Sequence, residues 1–473
     1  MEERSMGPER PLYWFRKLCA IPHPSGQTKE ISDFILAFAA ENGLEARQDQ
    51  WNNLVIRKPA SPGYAEHAPV MLQAHMDMVC EKKPDCNLDM TREGLRLRTE
   101  GDWLFAEGTT LGADDGYGVA TAMAILEDRT LAHPPLEVVL TTDEETGMYG
   151  AAGLDTSDLQ SRRMLNLDTE DEGVFIVSCA GGLHAECILP AEYTPNTAPA
   201  VTIAIADLKG GHSGDAIHIG RANAIQLMGR MLSKLGPHRL VSLTATGKEN
   251  AIARNCTAVV TTDAPAALMA EVQAFGETLK GEYAVSDPDM TVTAVPAVSE
   301  KAMTPETTAA CEAFLLLAPH GVQNMSLVLK GLVQTSLNPG VMTTDENGVW
   351  IGYSVRSALS SQKTMLSDRL TALAEKLGGR AELSASYPAW EYCADSPLRE
   401  LAVELYTERY GTAPRVIGTH GGLECGILCG KIPGLDILSY GPKIPAIHTP
   451  GERISLSSWQ RTWDFTLELL KRC

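Results

Sequence analysis

Apolar and polar positions follow two different periods over about the first 190 residues of the chain. Between Ser25 and Gly43, apolar side chains such as Ile31, Ile35 and Phe38 recur every three or four positions, which predicts an amphipathic helix. Short continuous apolar runs instead predict buried strands. This alternation of helices and strands is typical of an α/β layer architecture. The predicted strands cover 54–56, 70–72, 136–141 and 164–167, and a second helix covers 119–127.

A second region of strands and helices begins at about residue 201 and extends to about residue 384. Near Tyr387 the pattern of the first region returns, and this last stretch contains a candidate site residue, His448. The second region is therefore expected to be an insertion within the first. We predict a discontinuous domain of residues 1–192 and 386–473, and an inserted α+β domain of residues 193–385. The inserted domain has predicted strands at 201–205, 240–245 and 258–262 and helices at 223–235 and 267–279; the returning part has a helix at 398–410, a strand at 435–440 and a closing helix after Ser455.

The composition argues against several classes of protein. A chain of 473 residues exceeds one ordinary hydrophobic core, which favours two domains. The net charge of -20 argues against a nucleic-acid partner, because phosphate contacts need an excess of Lys and Arg. The sequence has no basic amphipathic helix and no apolar run of about 18 residues, so we expect no membrane partner.

The N-terminal residues and the cysteines indicate the compartment. Residues 1–6 have no apolar signal segment, so a cytoplasmic location is expected. Eleven cysteines, an odd number without regular spacing, are typical of reduced thiols. Cys425 and Cys429 lack a second pair at a matching distance, so they are predicted to be small buried residues and not zinc ligands.

Five short polar blocks carry candidate metal ligands. Four of them follow apolar runs that predict strands, and open α/β sheets place ligands beyond the carboxyl ends of their strands. Together the blocks offer two imidazoles and three carboxylates, a set that suits a pair of divalent cations. A two-metal hydrolase is the leading interpretation. The blocks are residues 73–77, 112–116, 142–147, 166–168 and 446–450.

Charge and spacing within the blocks support this interpretation, although each block also has a structural alternative. Glu144 and Glu145 would repel one another beside a buried strand unless cations were present; the alternative is a solvated acidic turn. His75 and Asp77 face the same side of an extended segment, so a carboxylate can orient a ligating imidazole. Asp114 and its neighbour Asp115 precede a helix between glycines, where N-capping is the alternative.

The order of these blocks resembles that of the co-catalytic zinc peptidases, which include carnosinases, aminoacylases and carboxypeptidase G. More narrowly, it is similar to the bacterial aminoacyl-histidine dipeptidase (Xaa-His dipeptidase) branch. The resemblance extends from about residue 75 to residue 453. It implies a zinc-peptidase catalytic domain with a mixed central sheet flanked by helices, and an inserted lid and dimerisation domain. The further matching stretches are residues 179–182, 209–214, 250–252, 420–426 and 447–449.

The resemblance also implies a role for each residue of the metal centre. Two divalent cations are expected, with Zn²⁺ preferred and Mn²⁺ or Co²⁺ compatible with the same ligands. Three carboxylates and one bridging hydroxide would offset the four positive charges of two Zn²⁺ ions. By resemblance, Asp114 bridges the two ions, His75 and Asp168 complete one site, Glu145 and His448 complete the other, Glu144 is the general base, and Asp77 orients His75.

The inserted domain carries the other residues that the resemblance implies. His212 matches the lid imidazole that reaches toward the substrate carbonyl oxygen, in related enzymes often from the partner subunit. Arg356 matches the residue that pairs with the free carboxylate of the substrate, for which a guanidinium is the chemically suited partner. Asn250, His420 and Glu424 are the remaining expected substrate-binding residues. A homodimer formed through this domain is expected.

The predicted function is metal-dependent hydrolysis of dipeptides, of the Xaa-His or β-Ala-His type or with a broader range. A water activated by two metals attacks the peptide carbonyl, and Glu144 moves the proton. One alternative is an N-acyl amino acid deacylase of the same superfamily. Another is a non-catalytic peptide- or metal-binding protein, which would not need a base beside the ligand Glu145.

Overall fold

The computed structural model describes residues 7–473. The helices are α1 Glu9–Leu18, α2 Lys29–Glu41, α3 Ala113–Glu127, α4 Glu144–Gly147, α5 Tyr149–Gly153, α6 Ala224–Leu232, α7 Pro265–Glu282, α8 Pro305–Leu317, α9 Ser360–Lys376, α10 Pro397–Tyr410, α11 Glu424–Lys431 and α12 Leu456–Arg472. The strands are β1 Glu45–Gln48, β2 Leu54–Lys58, β3 Val70–His75, β4 Leu97–Glu100, β5 Trp103–Ala106, β6 Leu136–Thr141, β7 Arg163–Asn166, β8 Val174–Cys179, β9 Gly181–Leu189, β10 Tyr193–Pro195, β11 Ala200–Ala206, β12 Arg239–Thr244, β13 Cys256–Thr261, β14 Thr291–Ala297, β15 Lys301–Met303, β16 Gly321–Met325, β17 Val333–Thr344, β18 Val349–Ser357, β19 Arg380–Tyr387, β20 Arg415–Thr419, β21 Asp436–Ser439 and β22 Arg453–Ser455.

The chain divides into two compact units. Unit 1 comprises the described residues up to Ser178 together with Tyr392–Gly418 and Leu423–Cys473, and unit 2 comprises Cys179–Glu391 and Thr419–Gly422. The borders therefore lie outside the predicted limits of 193 and 385. The physical reason is β9, which forms hydrogen-bonded ladders with β18 and β19 and so belongs to the inserted unit.

Unit 1 contains an eight-stranded mixed sheet with the strand order β1-β2-β6-β3-β7-β21-β8-β20. Its four central strands, β6, β3, β7 and β21, run parallel to one another. β3 and β6 are buried at every position, which explains why most of their residues are apolar. Because parallel strands end at the same edge of a sheet, the polar blocks that follow them reach one edge. The predicted α/β class with a mixed central sheet is confirmed.

The core of unit 1 joins helices from both ends of the chain. Trp459 of α12 is fully buried, and its ring lies edge-on to Phe15 of α1 at 5.6 Å. The same indole donates a hydrogen bond from Nε1 to Thr121 Oγ1 of α3 at 3.2 Å. The hydroxyl of Tyr117, also in α3, donates to the carbonyl oxygen of Tyr440 at 3.0 Å. These contacts hold α3 in place, and the second residue of α3 is the candidate metal ligand Asp114.

Unit 2 contains a four-stranded antiparallel sheet, β12-β13-β11-β14, and a five-stranded sheet, β16-β17-β18-β9-β19. One hydrophobic core of buried residues includes Ile203 of β11, Met228 of α6, Phe314 of α8 and Val355 of β18. β11 alternates between buried and partly exposed positions, as expected for a strand with one face on a core. In residues 7–473 no helix is long and apolar enough to span a membrane.

The limits of the predicted elements lie within four residues of the observed limits, except at the start of α3. That helix was expected from residue 119, whereas it begins at Ala113. Asp114 and Asp115 have non-helical backbone angles, and the glycine-rich first turn has no apolar spacing from which a helix could be predicted.

Candidate metal centre and active site

Asp114 lies between the two imidazoles of the predicted metal centre in unit 1. Its Oδ1 is 3.2 Å from His75 Nε2, and its Oδ2 is 3.1 Å from His448 Nε2. His448 Nε2 also lies 2.9 Å from Glu145 Oε1. The two carboxylate oxygens of Asp114 therefore face different histidines, which is the arrangement that a ligand shared by two ions requires.

The backbone before α3 presents Asp114 to the site. Gly112 has φ 66°, a left-handed conformation that glycine adopts without the steric cost of a Cβ atom. Asp115 accepts hydrogen bonds from backbone amides, including that of Gly118 at 3.2 Å. A Cβ atom on Gly118 would lie 2.4 Å from Asp115 Oδ1 and 2.8 Å from the carbonyl oxygen of Leu167, so only glycine fits there.

Asp77 connects the first histidine to the acidic turn. His75 Nδ1 lies 3.0 Å from the carbonyl oxygen of Asp77 and 3.5 Å from its Oδ1, so the carbonyl is the nearer acceptor. The carboxylate of Asp77 accepts from the backbone amides of Glu144 at 3.1 Å and Glu145 at 3.3 Å. It also accepts from Ser25 Oγ at 2.7 Å. Asp77 thus holds the α4 turn beside the imidazole.

Two groups of possible ligand atoms lie within 4.8 Å of one another, one formed by His75, Asp114 and Glu145 and the other by His75, Asp115 and Asp168. Asp168 Oδ1 is 3.7 Å from His75 Nε2. The second group includes Asp115, which was not among the predicted ligands. Its Oδ2 already accepts the backbone amide of His75 at 3.2 Å, which occupies part of its bonding capacity. Asp168 is therefore more available than Asp115 to bind an ion.

The electrostatics of the cluster favour positive charge. Burial lowers the pKa of His75, but hydrogen bonds with Asp114 and Asp77 outweigh this effect and raise the pKa well above its ordinary value. Hydrogen bonds with Asp114 and Glu145 raise the pKa of His448 to about 11. Burial raises the pKa of Asp168 well above its ordinary value, despite the opposing effect of His75. The buried carboxylates thus raise the pKa values of both imidazoles. Divalent cations fit such a cluster, because their charge would replace that of the bound protons.

Glu144, the predicted base, lies in the same environment. Desolvation raises the pKa of Glu144 well above its ordinary value; the charge of His75 opposes this rise, while Asp168 adds to it. The Glu144 residue is half-buried. A carboxylate with a raised pKa is a stronger proton acceptor, as general-base catalysis near neutral pH requires.

Glu424 is fully buried in unit 1. Its Oε2 accepts hydrogen bonds from Gln73 Nε2 at 2.6 Å and from Thr141 Oγ1 at 2.5 Å, whereas Oε1 has no hydrogen-bond partner within the described residues. Burial raises the pKa of Glu424 to about 7, against the lowering effect of His75. The contacts of Glu424 are all internal, and its substrate-binding role stays a prediction.

Unit 2 brings its predicted site residues together. His212 is 40% exposed, and its Nδ1 lies 3.2 Å from Asp215 Oδ2. A Cβ atom on Gly214 would lie 2.9 Å from His212 Cε1 and 3.6 Å from Arg356 Cζ, so this glycine allows the two side chains to flank it. Burial and then the charge of Arg356 lower the pKa of His212. The backbone of His212 pairs with that of Ala251 in an isolated β-bridge. The carbonyl oxygen of the preceding residue, Asn250, accepts a hydrogen bond from the backbone amide of Ser213.

His420 and Arg356 belong to the same part of unit 2. His420 Nε2 lies 2.7 Å from Ser336 Oγ, and burial followed by the charge of Arg356 lowers the pKa of His420 to about 3. Arg356 Nη1 donates to Tyr387 Oη at 3.2 Å, and its Nε has no hydrogen-bond partner among residues 7–473. This arrangement provides a neutral imidazole and a guanidinium with donor capacity to spare.

Glu452 lies next to the predicted ligand Asp114, and the sequence patterns did not predict this position. Glu452 is buried and accepts hydrogen bonds from the backbone amides before and at Asp114. Its position four residues after His448 is a signal in the sequence, but an isolated Glu after a glycine is usually a surface residue. Nothing in the local pattern indicated burial.

Comparisons with known proteins agree on one family and one fold. Residues 71–472 match the model described as peptidase family M20/M25/M40. The chain is 37% identical over 480 residues to the cytosol non-specific dipeptidase of Escherichia coli (strain K12), covering 100% of this chain and 99% of that protein. Among solved structures, aminoacylhistidine dipeptidase from Vibrio alginolyticus matches with a TM-score of 0.90 at 35% identity, covering 98% of this chain and 96% of that chain. A tripeptidase from Staphylococcus aureus subsp. aureus mu50, with a TM-score of 0.57 at 17% identity and 99% coverage of both chains, shares the fold.

Proposed function

The chain belongs to peptidase family M20/M25/M40, and we propose that it hydrolyses dipeptides in a metal-dependent reaction. The observation that carries this proposal is the position of Asp114, whose two carboxylate oxygens face His75 and His448. Two relatives that match along nearly the whole chain, at 37% and 35% identity, are named as dipeptidases, which supports dipeptides as the substrate class. Substrates of the Xaa-His or β-Ala-His type, or a broader range, are included.

Five side chains of unit 1 would hold two divalent cations. Zn²⁺ suits this set of imidazole and carboxylate donors, and Mn²⁺ or Co²⁺ suits it as well. When bound, two such ions lower the pKa of water and polarise a carbonyl group. The raised pKa values of His75 and His448 support the assignment, because they reflect the surplus of negative charge that cations would offset. The five ligands are His75, Asp114, Glu145, Asp168 and His448.

Glu144 is the proposed general base. Its carboxylate accepts a proton from the attacking water and then delivers that proton to the leaving amine when the peptide bond breaks. Asp77 supports this role because it binds the backbone amide of Glu144 and so sets the position of the α4 turn. The proton is transferred twice, first to the carboxylate and then from it, so that the carboxylate ends in its starting protonation state.

We assign the recognition of substrate to residues of unit 2. His212 donates to the substrate carbonyl oxygen as negative charge develops on it, and the partial exposure of its side chain, 40%, supports this contact. Arg356 pairs with the free carboxylate. Asn250 and His420 are further substrate contacts. A homodimer formed through unit 2 and a cytoplasmic location complete the proposal, and the name of the relative from Escherichia coli supports the location.

A substrate panel tests this function. The protein loaded with Zn²⁺, Mn²⁺ or Co²⁺ is assayed with dipeptides, tripeptides and N-acetyl amino acids. We expect dipeptides to be hydrolysed fastest, and Glu144→Gln to lower kcat by about 10²- to 10⁴-fold while both ions stay bound. The matched variant Glu145→Gln is expected to lose metal instead.

Three outcomes would contradict the proposal. Faster turnover of N-acetyl amino acids would identify a deacylase. Binding of metal and peptide without turnover would identify a binding protein. Full activity in Glu144→Gln would remove this residue from the proton transfer.

A further inference from the structure

Glu452 makes an unusually complete set of hydrogen bonds for a buried carboxylate. It is 3% exposed, and it accepts from four consecutive backbone amides. Oε2 accepts from Leu111 at 2.8 Å and Gly112 at 3.1 Å, and Oε1 accepts from Ala113 at 2.8 Å and Asp114 at 3.2 Å. Both oxygens are therefore fully used, with two donors each.

These four amides belong to the turn that presents Asp114. The first amides of a helix have no partner within the helix, and they carry the positive end of its dipole. The N-cap residue of α3 is Gly112, which has no side chain to accept hydrogen bonds from the helix amides. Glu452, which is 338 residues away from Asp114 in the chain, binds the first two amides of α3, those of Ala113 and Asp114, and also the two amides that precede the helix.

Glu452 also lies in the loop that carries His448. Its own backbone amide donates to the carbonyl oxygen of Thr449 at 3.0 Å, which closes a tight turn directly after the histidine. His448 has φ 59°, a left-handed conformation that is uncommon for a residue with a Cβ atom and that needs support from its surroundings. The loop contacts the Asp114 turn twice, through the imidazole and through the carboxylate.

We propose that Glu452 is a positioning residue that sets the separation of Asp114 and His448, and thereby the affinity of the cation that these two side chains share with Glu145. The inference rests on the metal centre of the proposed function. It does not depend on which peptides are cleaved. Glu452 itself contacts neither the ion nor the substrate, since both of its oxygens are bound to backbone amides.

Glu452→Gln is the sharpest test because it preserves the size of the side chain. A glutamine offers one acceptor oxygen, and its NH₂ group would face amide donors, so two of the four amides would lose their acceptor. Glu452→Asp keeps both oxygens on a shorter side chain and serves as the conservative variant. Glu66→Gln, at an exposed position of unit 1, is the matched control.

The readout is metal affinity, measured with Zn²⁺ alone by competition with a chelator, and the absorption spectrum with Co²⁺ alone. We expect Glu452→Gln to bind one ion nearly as tightly as the wild type and the second ion roughly 10- to 100-fold more weakly, as for other changes behind metal ligands. The Co²⁺ spectrum of the second site is expected to change. Glu452→Asp is expected to recover part of the affinity, and Glu66→Gln all of it.

The inference would be overturned if Glu452→Gln bound each of the two ions as tightly as the wild type does. This would hold even if the metal-free variant unfolded at a lower temperature. That result would leave Glu452 as a cap of α3 only. If Glu452→Gln does not fold, wild-type affinity for both ions in Glu452→Asp together with wild-type kcat would overturn it. A wild-type protein that binds two ions but cleaves no dipeptide would contradict the proposed function and leave this inference standing.

Discussion

The carboxylate of Asp114 meets the imidazole of His448 across 334 positions of the sequence, with Oδ2 3.1 Å from Nε2. One residue begins a central helix and the other lies in a loop near the C-terminus. Two segments that lie far apart in the sequence must therefore fold together before the second half of the metal centre exists. Metal binding and the integrity of unit 1 are expected to be linked, as they are for other sites assembled from distant ligands.

Replacing Asp114 with Asn is expected to remove the shared ligand. An amide has one acceptor oxygen, so it cannot face both histidines as an acceptor. We expect Asp114→Asn to retain at most one tightly bound ion and to lose more activity than the roughly 10- to 100-fold typical of changes behind the ligands. Metal content after dialysis measures this, with the exposed Asp85→Asn as control. Two tightly bound ions in Asp114→Asn would contradict the assignment.

Glu424 is expected to make the metal-free protein less stable as the pH rises. Burial raises its pKa from 4.5 to about 7 in the folded state, so the native protein holds a proton that the unfolded chain has released. The resulting stabilisation is complete below about pH 4.5 and is lost as the pH rises through about 7.

Glu424→Gln removes this titration and keeps an acceptor for Gln73 and Thr141. As the pH rises from about 5 to about 8, the wild type loses this stabilisation and the variant does not. The free energy of unfolding of the variant minus that of the wild type is therefore expected to increase by on the order of 3 kcal/mol. Urea unfolding in the presence of a chelator measures the difference, and Glu66→Gln should follow the wild type. Parallel pH profiles for the wild type and Glu424→Gln would show that Glu424 does not hold the proton.

His212→Ala is expected to slow catalysis more than it weakens binding. A donor to a developing oxyanion acts mainly in the transition state, and removing one typically lowers kcat by about 10²- to 10³-fold. Steady-state kinetics on a dipeptide should show this loss with little change in KM. His218→Ala is the matched control, since His218 is exposed and follows closely in the chain. A change in KM alone would assign His212 to ground-state binding.

Arg356→Gln is expected to lose affinity only for substrates with a free carboxylate. A hydrogen bond to a charged group contributes about 1.5–3 kcal/mol, so kcat/KM for a dipeptide should fall about 10- to 100-fold. The same dipeptide with an amidated C-terminus should be cleaved equally by the variant and the wild type. Arg369→Gln, at an exposed position of unit 2, is the control. Equal losses on both substrates would contradict a contact with the carboxylate.

Much of the fold followed from local patterns. β6 was predicted with its observed limits, Leu136–Thr141, and β3 and β11 were predicted within one to three residues of theirs. These strands are recognisable because burial on both faces, or strict alternation on one, is recorded in consecutive residues. The border at β9 was missed because its assignment to unit 2 depends on ladders with β18 and β19, which lie far away in the chain.

The sequence by itself determined the types of ligand and the strand ends that present them, because residue type sets metal preference and hydrophobic spacing sets local structure. Only the tertiary structure decided that Asp114 faces the imidazoles while Asp115 binds backbone amides. It also decided that Glu452 holds the turn of Asp114. Which side chains meet depends on how distant segments pack around a shared core, and no local spacing records that information.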